Sequence, residues 1–312
     1  MIEAIEHKQL KWQHITNPTE EDYDYLLETY EFHPLDIEDC KSNNQRPKID
    51  EYDNYYFLIL HFPYFEKDGK SIRVREVKIF WGKDYIITIG KPHWAVKQYF
   101  DDLRQDIAQH DEDAQEAMGC SDLLLYNILN RLMTETNTLI MRVGSEVDMI
   151  NYEIFNKRAR SIIEGISITR RNIILLNTTF KPQLRVLHMF ESGGIKGFVN
   201  PDVLDMEDYW GNILDQYQKM FDSIEDYGEL IEGLSKTFDS LQANKTNEIM
   251  KVLTYINTIL LPLTVITGMF GMNVDFPFTT NTTAFWVILG AMILIASLLI
   301  ASPGKSSAVP GG

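Results

Sequence analysis

Two stretches near the C-terminal end constrain this chain more than any other feature. Val252 to Phe270 runs for 19 residues without a charged side chain, and Ala284 to Ala301 runs for 18. At ~1.5 Å per residue, helices over these stretches reach about 27 to 29 Å, close to a hydrocarbon core of ~30 Å. A single such run could be a buried core helix; a second one shortly after it argues against that, so two membrane spans are expected. Between Val252 and Ala301 the only charged residue is Asp275, so nearly all of the 29 Lys+Arg and 45 Asp+Glu precede Val252. The chain reads as an acidic soluble body joined to a membrane tail.

The body carries the charge, and the formal net value of -16 argues against nucleic-acid binding, which needs a basic face to release phosphate counterions. Cations suit such a body better. Cys40 and Cys120 are far apart and lack metal-ligand spacing, so neither a disulfide framework nor a zinc knuckle is implied, and a reducing cytosol is expected for the body. The first twelve residues, MIEAIEHKQLKW, lack the apolar core of a cleavable signal peptide. Lys236, Lys245 and Lys251 precede the first apolar run and Lys305 follows the second, whereas the connection has neither Lys nor Arg. By the positive-inside rule both termini are expected to face the cytosol, and a multi-pass protein of the cell's inner (plasma) membrane is the expectation.

Residues 1–118 mix helical and strand periods. Thr19 to Phe32 places Tyr23, Leu26, Leu27 and Tyr30 at helical spacing behind an acidic first turn. Tyr55 to Phe65 and Val74 to Gly90 are rich in β-branched and aromatic residues, with Asp68-Gly69 as a turn between them. Trp94 to Ala108 reads as a further helix. This is an α/β domain. From Ser121 onward strand signals vanish, and residues 119–249 form a helical bundle and a long stalk helix, broken at Ser192-Gly193-Gly194 and Asn200-Pro201. The last helical run proceeds from Asp205 to Phe270, a rod of ~100 Å that calls for partner chains. The first span then occupies 250–271, an external loop 272–283, the second span 284–302 and a tail 303–312; the end of the chain, SPGKSSAVPGG from Ser302, reads as truncated or appended.

The first span is not uniformly apolar. With ~100° per residue and Asn257 as zero, Met250, Leu253, Leu261, Thr264, Gly268 and Gly271 all fall within about 40° of it. Small and hydroxyl residues on one stripe favour close helix packing in membranes. An Asn near mid-span is costly unless satisfied, so the sharper reading is a stripe facing a wet axis surrounded by symmetry mates. Polar rings would then alternate with apolar constrictions, an arrangement that can pass or block a hydrated ion.

The span ends in Phe270-Gly271-Met272-Asn273. Gly-Met-Asn after a membrane helix, preceded by NKTNEIMKVLT from Asn244 and by Pro262-Leu263-Thr264, resembles the CorA family of divalent-cation (magnesium) channels and transporters. His33-Pro34-Leu35, Glu38-Asp39 and Gln45-Arg46-Pro47-Lys48 are similar to that family's cytosolic domain, so the likeness runs from about residue 33 to 301. It implies a funnel-shaped homopentamer in the lipid bilayer, with an α/β cytosolic domain, long stalk helices and two transmembrane α-helices, the first lining the pore. Carried over residue by residue, Gly271, Met272 and Asn273 form the selectivity filter. Asn247, Met250, Leu253, Leu261 and Thr264 face the pore, joining Asn257 and Gly268 of the stripe. The resemblance also implies that Mg²⁺ is both transported, driven by membrane potential, and regulatory, bridging an acid at Asp39 and a stalk acid of the next subunit. That stalk position falls on Asn212, with Asp208 and Asp215 nearby.

The chain departs from the family in three places. The external loop reads VDFPFTTNTTAFW with Asp275 as its sole acid, a basic run after the second span is missing, and Leu261 stands where methionine is common. An amide at Asn212 is a neutral donor, so weak closure by cytosolic Mg²⁺ is expected. No enzyme constellation is present: HExxH, GxSxG and CxxC are absent, and Gly69-Lys70-Ser71 and Gly304-Lys305-Ser306 lack the first glycine of a phosphate loop. The acidic run His110 to Glu116 reads as a solvated loop or helix start. Transport of Mg²⁺, with Co²⁺ or Ni²⁺ as co-substrates, is the leading expectation. The alternatives are a Zn²⁺ transporter of the related ZntB branch and a membrane-anchored oligomeric scaffold.

Overall fold

The computed structural model describes residues 2–155, 159–199, 204–272 and 282–301. These residues divide into two units, Met1–Ser235 and Lys236–Gly312.

The first unit opens with a six-stranded sheet in the order β1-β2-β6-β5-β4-β3. Its strands are β1 (Ile2–His7), β2 (Leu10–Thr16), β3 (Lys48–Glu51), β4 (Tyr55–Phe65), β5 (Ile72–Gly82) and β6 (Tyr85–Gly90). All pairings are antiparallel except β2 with β6. The β-rich run Val74 to Gly90 is therefore two strands, and β1, β2 and β3 join the elements expected from sequence. The Asp68-Gly69 turn forms as read: Gly69 adopts φ 66°, and Asp68 Oδ1 accepts from the backbone N–H groups of Lys70 and Ser71, both at 2.9 Å. Those two donors hold the Asp68 carboxyl down to about 2.

Alternation along the strands sends apolar side chains to both faces. One face gathers Ile15, Phe57, Ile59, Phe80, Ile87 and Ile89 against Tyr23 and Leu26 of α1 (Glu20–Tyr30) and Ile37 and Cys40 of α2 (Pro34–Lys41). Thr19 starts α1 through a reciprocal capping box with Asp22. The opposite face is covered by α3 (Trp94–Ala108), α5 (Ser121–Glu153) and α6 (Ala159–Glu191), with Trp12 edge-on to Phe100 at 5.0 Å. Between α3 and α5, Asp111 caps the short α4 (Glu112–Ala117), so the acidic run is a helix start.

Two amides on one face of α6 tie it to strand backbone. Gln183 Oε1 accepts from His61 N at 2.6 Å and its Nε2 donates to His61 O at 3.3 Å. Asn172 does the same for Ile72 N and Lys70 O, at 3.1 and 2.7 Å. The β3–β4 ladder ends at the Lys48–Ile59 pair, so Gln183 supplies the missing strand partner beyond it. The helix α7 (Glu207–Phe270) contributes its first part to this unit, where Trp210, Ile213, Leu214, Tyr217, Met220 and Ile224 are buried.

The second unit contains the remainder of α7 and α8 (Thr282–Ala301). An 18-residue window of α7 has mean hydropathy 1.7, and none of it is buried inside the chain. By length and composition α7 can cross a membrane; the apolar stretch of α8, Phe285–Ile300, is shorter. In the apolar stretch of α7 the half-buried positions are Ile259, Pro262, Leu263 and Ile266, and on α8 they are Ile288, Met292, Ile295, Ala296 and Leu299. Both sets have the three-and-four spacing of a helix seam.

Candidate ion pathway and regulatory positions

The α7 seam centres ~170° around the helix from Asn257. Asn257 and its stripe of Met250, Leu253, Leu261, Thr264, Gly268 and Gly271 therefore occupy the face turned away from the half-buried one. All of these residues are exposed in the isolated chain, Leu261 at 66% and Met250 at 55%, and so is Asn247. A row of large apolar side chains left open on a membrane-length helix needs lipid or other chains to cover it.

The hydroxyls of this segment satisfy themselves. Thr254, Thr258 and Thr264 each donate to the carbonyl four residues back at 2.8 Å, and Thr267 donates to Thr264 O at 3.0 Å. Asn257 differs: among the described residues its amide has no hydrogen-bond partner. An amide carries two N–H donors and an acceptor oxygen, and leaving the group dry in hydrocarbon costs ~2 to 7 kcal/mol, so water or another chain must meet it.

At the C-terminal end of α7, Gly271 N donates to Thr267 O at 2.9 Å. A Cβ on Gly271 would sit 3.1 Å from that carbonyl, tighter than an ordinary contact. The last turn thus closes compactly, and the carbonyls at the C-terminal end of a helix carry partial negative charge. Asn273, Asp275, the rest of the external loop and the tail with Lys305 lie outside the described residues.

The positions expected to be regulatory lie in the first unit. On α7, Asp208, Asn212 and Asp215 share one exposed face, opposite the buried residues Trp210, Ile213 and Tyr217. Asn212 Nδ2 donates to Tyr126 OH at 2.9 Å, which pins the amide and leaves its oxygen open. Asp39 is in the last turn of α2. Its carboxylate is not open: Lys48 Nζ lies 2.7 Å from Asp39 Oδ2 and also pairs with Asp50. Among the described residues no three His, Cys, Asp or Glu side chains converge as a metal site. The expected ion would bridge Asp39 and the stalk of a neighbouring subunit; in this chain Asp39 is ion-paired to Lys48 and Asn212 offers a neutral amide oxygen.

Two features around Asp39 escaped the sequence reading. Lys78, only 3% exposed, reaches from β5 to the end of α2, where Nζ donates to Asp39 O at 2.8 Å and to the carbonyls of Cys40 and Ser42. A cation on the last carbonyls of a helix complements its dipole and fixes where Asp39 stands. Nearby, buried Asp36 accepts from Tyr55 OH at 2.8 Å and Tyr52 OH at 3.1 Å, and burial raises its carboxyl above the usual range despite those bonds.

The CorA-like Mg²⁺ transporter model matches residues 7–302, and the chain belongs to that family, one of membrane transporters and not of enzymes. Among curated relatives, the cobalt/magnesium transport protein CorA of Thermotoga maritima is 26% identical over 276 residues, covering 88% of this chain and 76% of that protein. The putative metal ion transporter YfjQ of Bacillus subtilis is 26% identical over 304 residues, covering 96% of this chain and 91% of its own. Among solved structures, the complete CorA magnesium transporter of Methanocaldococcus jannaschii superposes with a TM-score of 0.81 at 20% identity, over 98% of this chain and 93% of that one. The mixed α/β domain, long α7 and C-terminal helix are thus the fold of a full-length CorA protein.

Proposed function

We propose that the chain is a homopentameric channel for divalent cations, chiefly Mg²⁺ with Co²⁺ or Ni²⁺ as co-substrates, set in the plasma membrane with both termini cytosolic. The observation that carries this reading is the position of Asn257. Its unpartnered amide lies on an exposed stripe opposite the half-buried face of α7, where symmetry mates would enclose a wet axis. In this reading α7 lines the pore and α8, despite its shorter apolar stretch, is the second span.

Along the axis, Asn247, Asn257 and Thr264 supply polar rings, while Met250, Leu253 and Leu261 supply apolar constrictions that close by excluding water. Gly268 keeps the outer part wide. Five helix ends at Gly271 and Met272 present carbonyls to the mouth, and Asn273 amide oxygens accept hydrogen bonds from the ion's own water. Mg²⁺ dehydrates reluctantly, so a ring that holds the hydrated ion avoids that cost without a carboxylate. Entry of a doubly charged ion down 100 mV releases about 4.6 kcal/mol, so transport needs no ATP. Cytosolic Mg²⁺ closes the channel through the cytosolic domains, and weakly, because Asn212 is an amide.

A Zn²⁺ transporter is the second reading. It is favoured by the likeness of the chain to the cytoplasmic domain of ZntB from Vibrio parahaemolyticus, with a TM-score of 0.59 at 13% identity over 76% of this chain and 90% of that one. A scaffold that merely oligomerises has no use for unpaired Asn257 on a symmetry axis. Flux of Mg²⁺, Co²⁺ and Zn²⁺ into liposomes carrying the purified protein separates the three. Mg²⁺ uptake exceeding Zn²⁺ uptake is expected; Zn²⁺ alone, or no flux, overturns the proposal.

A further inference from the structure

The Lys48 ammonium stands between two carboxylates, 2.7 Å from Asp39 Oδ2 and hydrogen-bonded to Asp50 Oδ2. That is where a dication shared by Asp39 and Asp50 would have to sit. Lys48 is held there by more than charge. It belongs to β3, whose pairing with β4 fixes its register opposite Ile59, and its amine packs over the Phe57 ring at 5.3 Å from the centroid. Asp39 is fixed from the other side by Lys78 on its carbonyl. Both partners of the ion pair are therefore preorganised, and both are largely screened from water, with side-chain exposures of 32% for Lys48 and 21% for Asp39.

We propose that Lys48 is a built-in counter-cation that sets the Mg²⁺ sensitivity of the cytosolic domain by occupying the Asp39 position. The inference rests on the reading that cytosolic Mg²⁺ closes this channel, and it adds the residue that tunes the closure. A divalent ion reaching Asp39 must displace an ammonium that already neutralises the carboxylate. The displaced ammonium would then stand next to the incoming ion and repel it. Charge count governs the affinity of oxygen sites for hard dications, so losing Asp39 to Lys48 weakens the response in the same direction as Asn212 does. Replacing Lys48 by an uncharged side chain leaves Asp39 and Asp50 facing one point with two uncompensated charges, which favours a dication.

The test uses the full-length protein in detergent and two readouts independent of flux: the Mg²⁺ concentration at the midpoint of thermal stabilisation, and Mg²⁺ bound at equilibrium dialysis. Lys48→Met should lower the midpoint about tenfold and increase bound Mg²⁺. Lys48→Arg, which keeps the charge and the stem, should behave as wild type and guards against a packing effect. Lys48→Met combined with Asp39→Asn should lose the gain. An unchanged midpoint in Lys48→Met, while Asp39→Asn alone weakens the response, overturns the role of Lys48 and leaves Mg²⁺ closure through Asp39 standing. A gain that persists in the double variant, with Asp39→Asn alone silent, overturns both, because Mg²⁺ then binds elsewhere.

Discussion

Gly197 and Asp122 meet so closely that a Cβ on Gly197 would lie 2.0 Å from Asp122 Oδ1. Gly197 has φ 66°, and Asp122, 1% exposed at the start of α5, accepts from Phe198 N at 3.0 Å. The segment after α6 is thus pinned to α5 by one buried carboxylate, and only glycine leaves room for it. Gly197→Ala adds both a clash and backbone strain. It should cost about 2 kcal/mol or more, seen as a lowered thermal midpoint. Wild-type stability in that variant would contradict the contact.

Acid sensitivity follows from two buried imidazoles. Burial pushes His14 down to about 4, with Lys97 adding to the effect, and burial likewise pushes His93 down to about 4. Both values lie below the ordinary 6.5, so each residue contributes stability that is present above pH 6.5 and lost as pH falls through about 4. The contribution is at most roughly 3 kcal/mol per residue. Asp36 and Asp122, raised by burial, act with the opposite sign, so variants are needed to isolate the histidines. His14→Gln and His93→Asn, the latter keeping an N-cap for α3, should each flatten the decline of stability between pH 6.5 and 4. Chemical denaturation across that range measures it, and an unchanged slope in both would refute the assignment.

The apolar rings of the proposed pore make a prediction opposite in sign to loss of function. Met250→Gly or Leu253→Gly widens a constriction, so basal current in planar bilayers should rise several-fold at Mg²⁺ levels that close the wild type. Basal current equal to wild type in both variants would mean that neither residue gates.

Orientation is open to thiol labelling, although not through the native cysteines, since Cys40 is 4% exposed and Cys120 is half-buried. A Cys placed at exposed Asp113 should resist an impermeant reagent in intact cells, and one at Thr280 should react. The reverse pattern would invert the topology.

Much of the first unit could be read from residues alone where local signals agree with the fold. Thr19 and the apolar spacing behind it mark α1, Asp68-Gly69 marks its turn, and Trp94 to Ala108 is the helix expected. The parts that escaped are those decided by tertiary partners. In β2 the polar Gln13 and His14 are buried, which breaks the alternation of a strand; they are tolerated because Tyr25, Tyr30 and Thr88 meet them. The helix α2 is eight residues long, too short for its period to show, and begins with Pro34. The break at Lys83-Asp84 is hidden by aromatic residues close by on both sides, Trp81 and Tyr85. At the candidate site, the stripe that carries Asn257 is legible because one helix carries it and its period is local. The Lys48–Asp39 pair is not, because β3 and α2 are brought together only by the sheet.

The central claim is that Gly271, Met272 and Asn273 form the filter of a divalent-cation channel. The most direct measurement is potential-driven Mg²⁺ uptake into liposomes by wild type and by Asn273→Ala, with oligomer size checked on a column for each. In this account Asn273→Ala removes the amide proposed to accept from the hydrated ion. The account predicts uptake reduced at least tenfold, about 1.4 kcal/mol of lost ion stabilisation, in an oligomer of unchanged size. Wild-type uptake by Asn273→Ala would contradict it.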